Sequence, residues 1–287
     1  MRTVPPALLA EMQADDAFLV ECLLLVARDG TRAGLTTNVD ALTIDLGVDA
    51  NGPDSFATGM TLSALTAATG LDAGHAEIRG AIDDIFTLPA LLGGKWTGAR
   101  AWLVQVSPGI DGFAPLVGGR VRDVTPSEDD WVMEIRSHAD AFNQVIGDLI
   151  TPYCKAELSD AQCGVVLTPV VATVTAVVDA MRFTVSYSGT FADDHFNLGK
   201  AEWLTGDLTG TESLQIFNFI SGGAGVGAVE MFEPLVALPQ VGDTLNLFIG
   251  CPKTRAACRD LFGNGVRFRG YPEVPGTPTL LRQDIGT

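Results

Sequence analysis

Five cysteines occur in 287 residues, and four of them form two short-range pairs. Cys154 and Cys163 stand in Tyr-Cys-Lys-Ala-Glu-Leu-Ser-Asp-Ala-Gln-Cys-Gly, with eight residues between them; Cys251 and Cys258 stand in Gly-Cys-Pro-Lys-Thr-Arg-Ala-Ala-Cys-Arg-Asp, with six. Two such pairs separated by a long β-rich stretch are how a chain folds back on itself to build one four-thiolate site. Zinc sites usually place about two to four residues between paired ligands. The wider loops here suit a larger object, such as an iron–sulfur cluster held by four thiolates. On spacing alone, cluster and zinc stay level. Two local disulfides, Cys154–Cys163 and Cys251–Cys258, are a third solution, disfavoured because the start of the chain shows no apolar export segment. Four unrelated core cysteines are the fourth, and polar loops are a poor setting for those.

The surrounding residues refine the picture. Lys253–Phe262 reads as a helix stopping at Gly263, with Cys258 on its inward face and Cys251 just before its start. Backbone N–H groups there favour a thiolate. Arg255, Arg259 and Lys155 are expected to add positive potential. Cys22, flanked by Val20, Leu23, Leu24 and Leu25, reads as a core thiol and not as a ligand.

No other constellation carries chemistry. His75, His138 and His195 are scattered, and none pairs at ligand spacing; His195, beside Asp193 and Asp194, reads as part of a solvated turn. Nucleophile-elbow, zinc-protease and Walker motifs are missing. Gly222-Gly-Ala-Gly-Val-Gly lacks the strand-then-helix setting of a dinucleotide loop and reads as a turn. The paired carboxylates Asp83-Asp84, Asp129-Asp130 and Asp193-Asp194 fall where capping is the ordinary role.

The elements that must position the cysteines are mostly strands. A short helix is expected near Pro6–Met12, then a buried strand over Phe18–Ala27, the Asp29-Gly30 turn and a second strand through Leu35 and Val39. Further strands are expected at Ala41–Leu46, Met60–Ala67, Ala76–Ala81, Ala99–Val106, Arg120–Val124 and Asp130–Ile135, with helices over Asp83–Leu92 and Ser137–Ile146. Past Asp148–Pro152 the texture changes. A cysteine loop precedes a β-branched hairpin, Val170–Val178 and Arg182–Tyr187, joined across Asp179-Ala180. Short strands then follow at Trp203–Leu204, Leu214–Ile220, Val229–Phe232 and Thr244–Ile249. Frequent short strands with glycine turns predict a mainly β fold with a minor α+β contribution, built from small barrels or sandwiches. The expected domains are residues 1–147 and 148–287, the second carrying the four-cysteine site. The glycine- and proline-rich tail from Pro275 is expected to be loose or to pack on other chains.

The formal net charge is −17. That opposes nucleic-acid binding through phosphates, which needs clustered Lys and Arg. It suits a protein that DNA must pass without sticking, since an acidic wall repels phosphate. The most apolar stretch, Val165–Val178, is about half a bilayer span and β-branched, so no membrane insertion is expected.

Tyr153–Val165 and, much later, Gly250–Gly276 resemble the tail-tip hub proteins of long-tailed phages and gene transfer agents, related to lambda tail tip protein L. The resemblance is carried by the cysteine segments, by Leu261-Phe262-Gly263-Asn264, and by Val266-Arg267-Phe268-Arg269-Gly270-Tyr271-Pro272. It covers roughly residues 148–278. In the first half only Ala27-Arg28-Asp29-Gly30 and the later Asp/Gly-rich strands are similar, and Gly34–Asp40 departs from the family pattern. The resemblance implies a structural, non-enzymatic baseplate hub subunit, a homotrimer closing the distal end of the tail tube. It implies partners in the distal tail protein and a large tip or fibre protein, assembly in the host cytoplasm and residence at the virion tail tip. It further implies an iron–sulfur cluster, [4Fe–4S], on Cys154, Cys163, Cys251 and Cys258. A zinc-stabilised host-surface binding module and a cell-wall-degrading tail-tip enzyme are the rival readings; the second lacks a nucleophile–base pair.

Overall fold

A computed structural model describes residues 4–48, 52–66, 74–143, 147, 150–223 and 225–274. The chain divides into two compact units, one of Met1–Val145 with Gly210–Glu212 and one of Ile146–Thr209 with Ser213–Thr287. The fold is mainly β.

In the first unit, a short helix α1 (Pro6–Met12) precedes nine strands: β1 (Val20–Val26), β2 (Arg32–Thr36), β3 (Leu42–Ile44), β4 (Asp54–Thr58), β5 (Met60–Thr66), β6 (His75–Ala81), β7 (Arg100–Val106), β8 (Ala114–Pro126) and β9 (Asp130–Ser137). They form one sheet in the order β3-β4-β2-β1-β7-β8-β9-β6-β5. The apolar run predicted as a strand is β1, near the middle of the sheet and buried on both faces. Leu23 and Leu25 enter one core, while Cys22, Leu24 and Val26 enter another with Phe56, Val104 and Val106. This is the period-2 alternation of a strand covered on each side. Met60 of the edge strand β5 shares its core with Leu35 of β2, so the sheet curls around that core. Trp131 lies at its heart, fully buried, 4.8 Å from the Phe86 ring, its Nε1 donating to the Ala81 carbonyl at 2.8 Å.

Several expected elements differ. The helix foreseen over Asp83–Leu92 is only α2 (Leu88–Leu92). Asp83 Oδ1 instead accepts from the Ile85 and Phe86 amides and makes a turn, and Thr87 caps the short helix. The helix foreseen from Ser137 is replaced by the end of β9 and a 3-10 turn over His138–Asn143; residues 144–146 lie outside the described residues. β2 stops at Thr36, leaving Val39 exposed. β4 was not foreseen.

The second unit is a closed six-stranded barrel in the order β10-β11-β14-β13-β12-β15. Its strands are β10 (Val170–Val177), β11 (Arg182–Tyr187), β12 (Lys200–Trp203), β13 (Leu214–Ser221), β14 (Val226–Met231) and β15 (Thr244–Phe248). Closure comes from β15 pairing with both β12 and β10. Alternate residues fill the interior, Phe183 and Val185 of β11, Val229 and Met231 of β14, and Leu245 and Leu247 of β15, joined by Ile216 and Phe219 of β13 on either side of a register shift. Each such side chain contributes about 1.5–3 kcal/mol by leaving water. The β10–β11 turn forms as expected, with Asp179 Oδ1 accepting from the Met181 and Arg182 amides. The glycine run after Ser221 is the β13–β14 turn, where the Gly222 amide donates to the Val226 carbonyl. Residues 275–287, the expected loose tail, lie outside the described residues. Among the described residues no helix is long and apolar enough to cross a membrane.

Candidate functional site

The segments on either side of the barrel's strands carry the cysteines. Residues 151–165 lead into β10, and residues 249–274 follow β15 and contain α3 (Arg255–Asp260) and a 3-10 turn over Gly265–Arg267. α3 is shorter than the expected Lys253–Phe262 because Thr254 caps it, its hydroxyl accepting from the Ala257 amide at 3.3 Å. Cys258 faces inward from α3 and is buried; Cys154, Cys163 and Cys251 are half-buried.

All five cysteines are free thiols. Burial, and then negative charge on Cys154, Cys251 and Cys163, pushes the Cys258 thiol above its ordinary 9.0. The charges that act on Cys258 thus come from both cysteine pairs, and 87 residues lie between Cys163 and Cys251. Like charges held together raise one another's pKa, and a cation among them relieves the repulsion. Among the described residues, however, no three or more His, Cys, Asp or Glu side chains form a group that could hold a metal ion. As a donor set, cysteine thiols suit a thiophilic group.

Backbone contacts hold the two segments against each other. The Cys154 amide donates to the Lys253 carbonyl at 2.8 Å, and the Tyr271 amide to the Thr151 carbonyl at 2.8 Å. Gly270 packs so closely on Tyr153 that a Cβ would stand 2.6 Å from its carbonyl, so only glycine fits. Asp160 folds the first cysteine loop by accepting from the Glu157 and Cys163 amides, and those bonds, Cys163's foremost, hold its carboxyl below the ordinary 3.8.

Two residues without a predicted role stand at the centre. Lys253, with a left-handed φ of 59°, donates its amide to Cys251 Sγ at 3.4 Å. Its Nζ donates to the Ala156 carbonyl at 2.6 Å and pairs with Glu157 at 3.1 Å. Asn264 reaches both Cys163 and Cys258. Nothing in the sequence marks the φ of Lys253; Asn264 follows a helix-stopping glycine within the resembling Leu261–Asn264 element, which was its only signal. The positive potential expected from Arg255 and Arg259 is largely neutralised, since each pairs with a carboxylate, Glu273 and Asp260. Lys253 is likewise paired, with Glu157, and its part in the site is to tie the two cysteine segments together.

Cys22 is a core thiol as read: fully buried, with Sγ donating to Thr36 Oγ1 at 3.4 Å, and raised above 9.0 by desolvation. His195 lies in the turn expected and is half-buried in it. It stacks on Phe191 at 4.7 Å and meets Phe196 edge-on at 4.8 Å. Its neighbours Asp193 and Asp194 serve the fold, accepting from the Ser221 amide and the Asn197 side chain.

A nine-stranded sheet, a closed six-stranded barrel and two cysteine-bearing segments flanking the barrel strands define a mainly β protein. One solved structure, from the virion of a native gene transfer agent (GTA) particle, is similar over 99% of this chain and 97% of that chain, at 26% identity and a TM-score of 0.84. Residues 5–166 match the family described as baseplate hub protein, N-terminal attachment domain, and residues 194–277 match phage conserved hypothetical protein BR0599. No curated protein sequence matches the chain. The first match takes in more than half of the residues, and the chain belongs to the baseplate hub protein family. It is a structural component of a virion of the phage or gene transfer agent kind. Cys154 and Cys163 fall within the first match and Cys251 and Cys258 within the second.

Proposed function

We propose that this hub sits at the distal tail tip as a homotrimer, closes the tail tube and links the distal tail protein to the large tip or fibre protein. We further propose that Cys154, Cys163, Cys251 and Cys258 hold an iron–sulfur cluster, [4Fe–4S], in a structural role. The observation that carries the reading is a pair of shared contacts: Lys253 bonds to the Cys154 amide and to Cys251 Sγ, and Asn264 bonds to Cys163 and to Cys258. The wide loops between paired cysteines favour a cluster over one zinc ion, which takes tighter spacing. When bound, such a group supplies four covalent links between segments distant in sequence, and its binding energy becomes folding energy. The chain's own part is to present the sulfurs. α3 delivers Cys258, Lys253 orders Cys251 and Cys154, and Asp160 orders Cys163. The net charge of −17 fits a passage along which ejected DNA slides without binding.

The test is Cys258→Ser in the assembled particle and in purified hub. Wild-type hub purified without oxygen is expected to be brown, absorbing near ~400 nm, and the variant to lose iron and assemble poorly. Normal assembly of an iron-free variant removes the structural role. A colourless wild-type protein carrying zinc replaces the cluster by the zinc-stabilised binding module. Degradation of peptidoglycan by pure hub would establish the enzymatic alternative.

A further inference from the structure

We infer that Asn264 is the positioning residue of the four-thiol site, fastening the Cys163 loop to the Cys258 helix and aiming an N–H at the Cys163 sulfur; this rests on the cluster reading above. Asn264 bonds to both cysteine segments. On the helix side, its amide donates to the Cys258 carbonyl at 2.8 Å, and its own carbonyl accepts from Cys258 Sγ at 3.2 Å. On the loop side, its Nδ2 donates to the Cys163 carbonyl at 2.8 Å and faces Cys163 Sγ at 3.8 Å, a link across 101 positions of sequence. The acceptor fixes the orientation of the carboxamide, because Oδ1 in the place of Nδ2 would set two lone pairs face to face. Gly263, with φ of 60°, turns the chain out of α3 so that the next residue can make these four contacts.

An N–H dipole directed at a ligand sulfur withdraws electron density from it and favours the more negative, reduced state of whatever that sulfur binds. Among the described side chains, the bonds recorded to a cysteine sulfur of the site come from Asn264 alone; the other recorded donor to one is the Lys253 backbone amide. A substitution at Asn264 is therefore expected to lower the reduction potential, by an amount that the shape of the loop alone would not produce.

The experiment uses full-length hub purified without oxygen, as wild type, Asn264→Asp, Asn264→Ala and Asn264→Ser. Iron and acid-labile sulfide are measured, and the midpoint potential is taken by redox titration followed by electron paramagnetic resonance. Asp keeps the shape but only accepts; Ala removes the group; the Ser hydroxyl still donates. The expected result is loss of iron and sulfide from Asn264→Asp and Asn264→Ala, because Asp sets a carboxylate oxygen against the Cys163 carbonyl and Ala leaves that carbonyl unbound. Any cluster that remains is expected to show a potential lower by about 59 mV, a tenfold change in the one-electron equilibrium. Partial retention in Ser, whose shorter hydroxyl still donates, supports the same assignment. Full loading of Asp with loss from Ala reduces Asn264 to a space-filling residue and overturns it. Wild-type loading and potential in every variant also overturn it while leaving the cluster reading intact. Wild-type hub without iron or sulfide overturns the cluster reading and this inference together.

Discussion

Replacing Gly270 by alanine places a methyl carbon 2.6 Å from the carbonyl carbon and oxygen of Tyr153 and 2.7 Å from the Phe268 ring. Two of those three atoms are backbone, which cannot rotate aside. The segment around Tyr153 must move off the segment around Gly270, and the Tyr271-to-Thr151 and Cys154-to-Lys253 hydrogen bonds lie in its path. Overpacking of this kind costs about 1–3 kcal/mol, and a value near the middle, about 2 kcal/mol, fits a clash shared between two loops. Local opening then becomes easier by roughly 30-fold, at about 1.4 kcal/mol per tenfold. Amide hydrogen exchange reads this directly: the Cys154 and Tyr271 amides of Gly270→Ala are expected to exchange roughly 30-fold faster, while barrel amides such as Val229 keep their rates. Gly223→Ala is the control in the same unit. Its Cβ meets no atom within 4 Å, so its cost is only that of a left-handed backbone, about 1–2 kcal/mol, and local to the β13–β14 turn. Unchanged exchange at Cys154 and Tyr271 in Gly270→Ala would refute the claim that the two cysteine segments are clamped there.

Trp131→Ala is expected to destabilise the first unit by about 3–5 kcal/mol, through the cavity left in the core and the lost bond to the Ala81 carbonyl, and urea unfolding measures it. Burial holds the His195 ring below its ordinary 6.5. The folded barrel thus prefers neutral His195, and this stability is full above pH 6.5 and declines as pH falls through the folded value; an NMR titration midpoint at or above 6.5 would contradict the packing described.

Periodicity made much of the fold legible. Alternation of Cys22, Leu24 and Val26 with Leu23 and Leu25 marks a strand buried on both faces, and Asp179 with its β-branched flanks marks a hairpin. What failed did so for local reasons. Pro89 lies inside the helix expected over Asp83–Leu92, and the helix that forms is shorter and places it in the first turn, where proline belongs. β4 has one buried apolar residue, Phe56, and its place comes from parallel pairing with β2, which no local pattern announces. The strand expected over Arg120–Val124 is longer, β8 over Ala114–Pro126. Gly119 lies inside β8 because a Cβ there would strike the Arg136 carbonyl of the neighbouring strand. At the site, residue type and spacing singled out Cys154, Cys163, Cys251 and Cys258, which lie in the two segments flanking the barrel strands. The roles of Lys253 and of Asn264, the latter named only as part of the resembling Leu261–Asn264 element, were not legible because they depend on backbone conformation and on contacts about a hundred positions away.

The central claim is that the hub binds one inorganic group through four sulfurs. Metal and sulfide analysis of wild-type hub, purified from its particle without oxygen, tests it most directly. The account predicts about four irons and four acid-labile sulfides per chain, lost together when any one of Cys154, Cys163, Cys251 or Cys258 becomes serine. A fully folded hub with no iron and no sulfide, or with one zinc in their place, would contradict it.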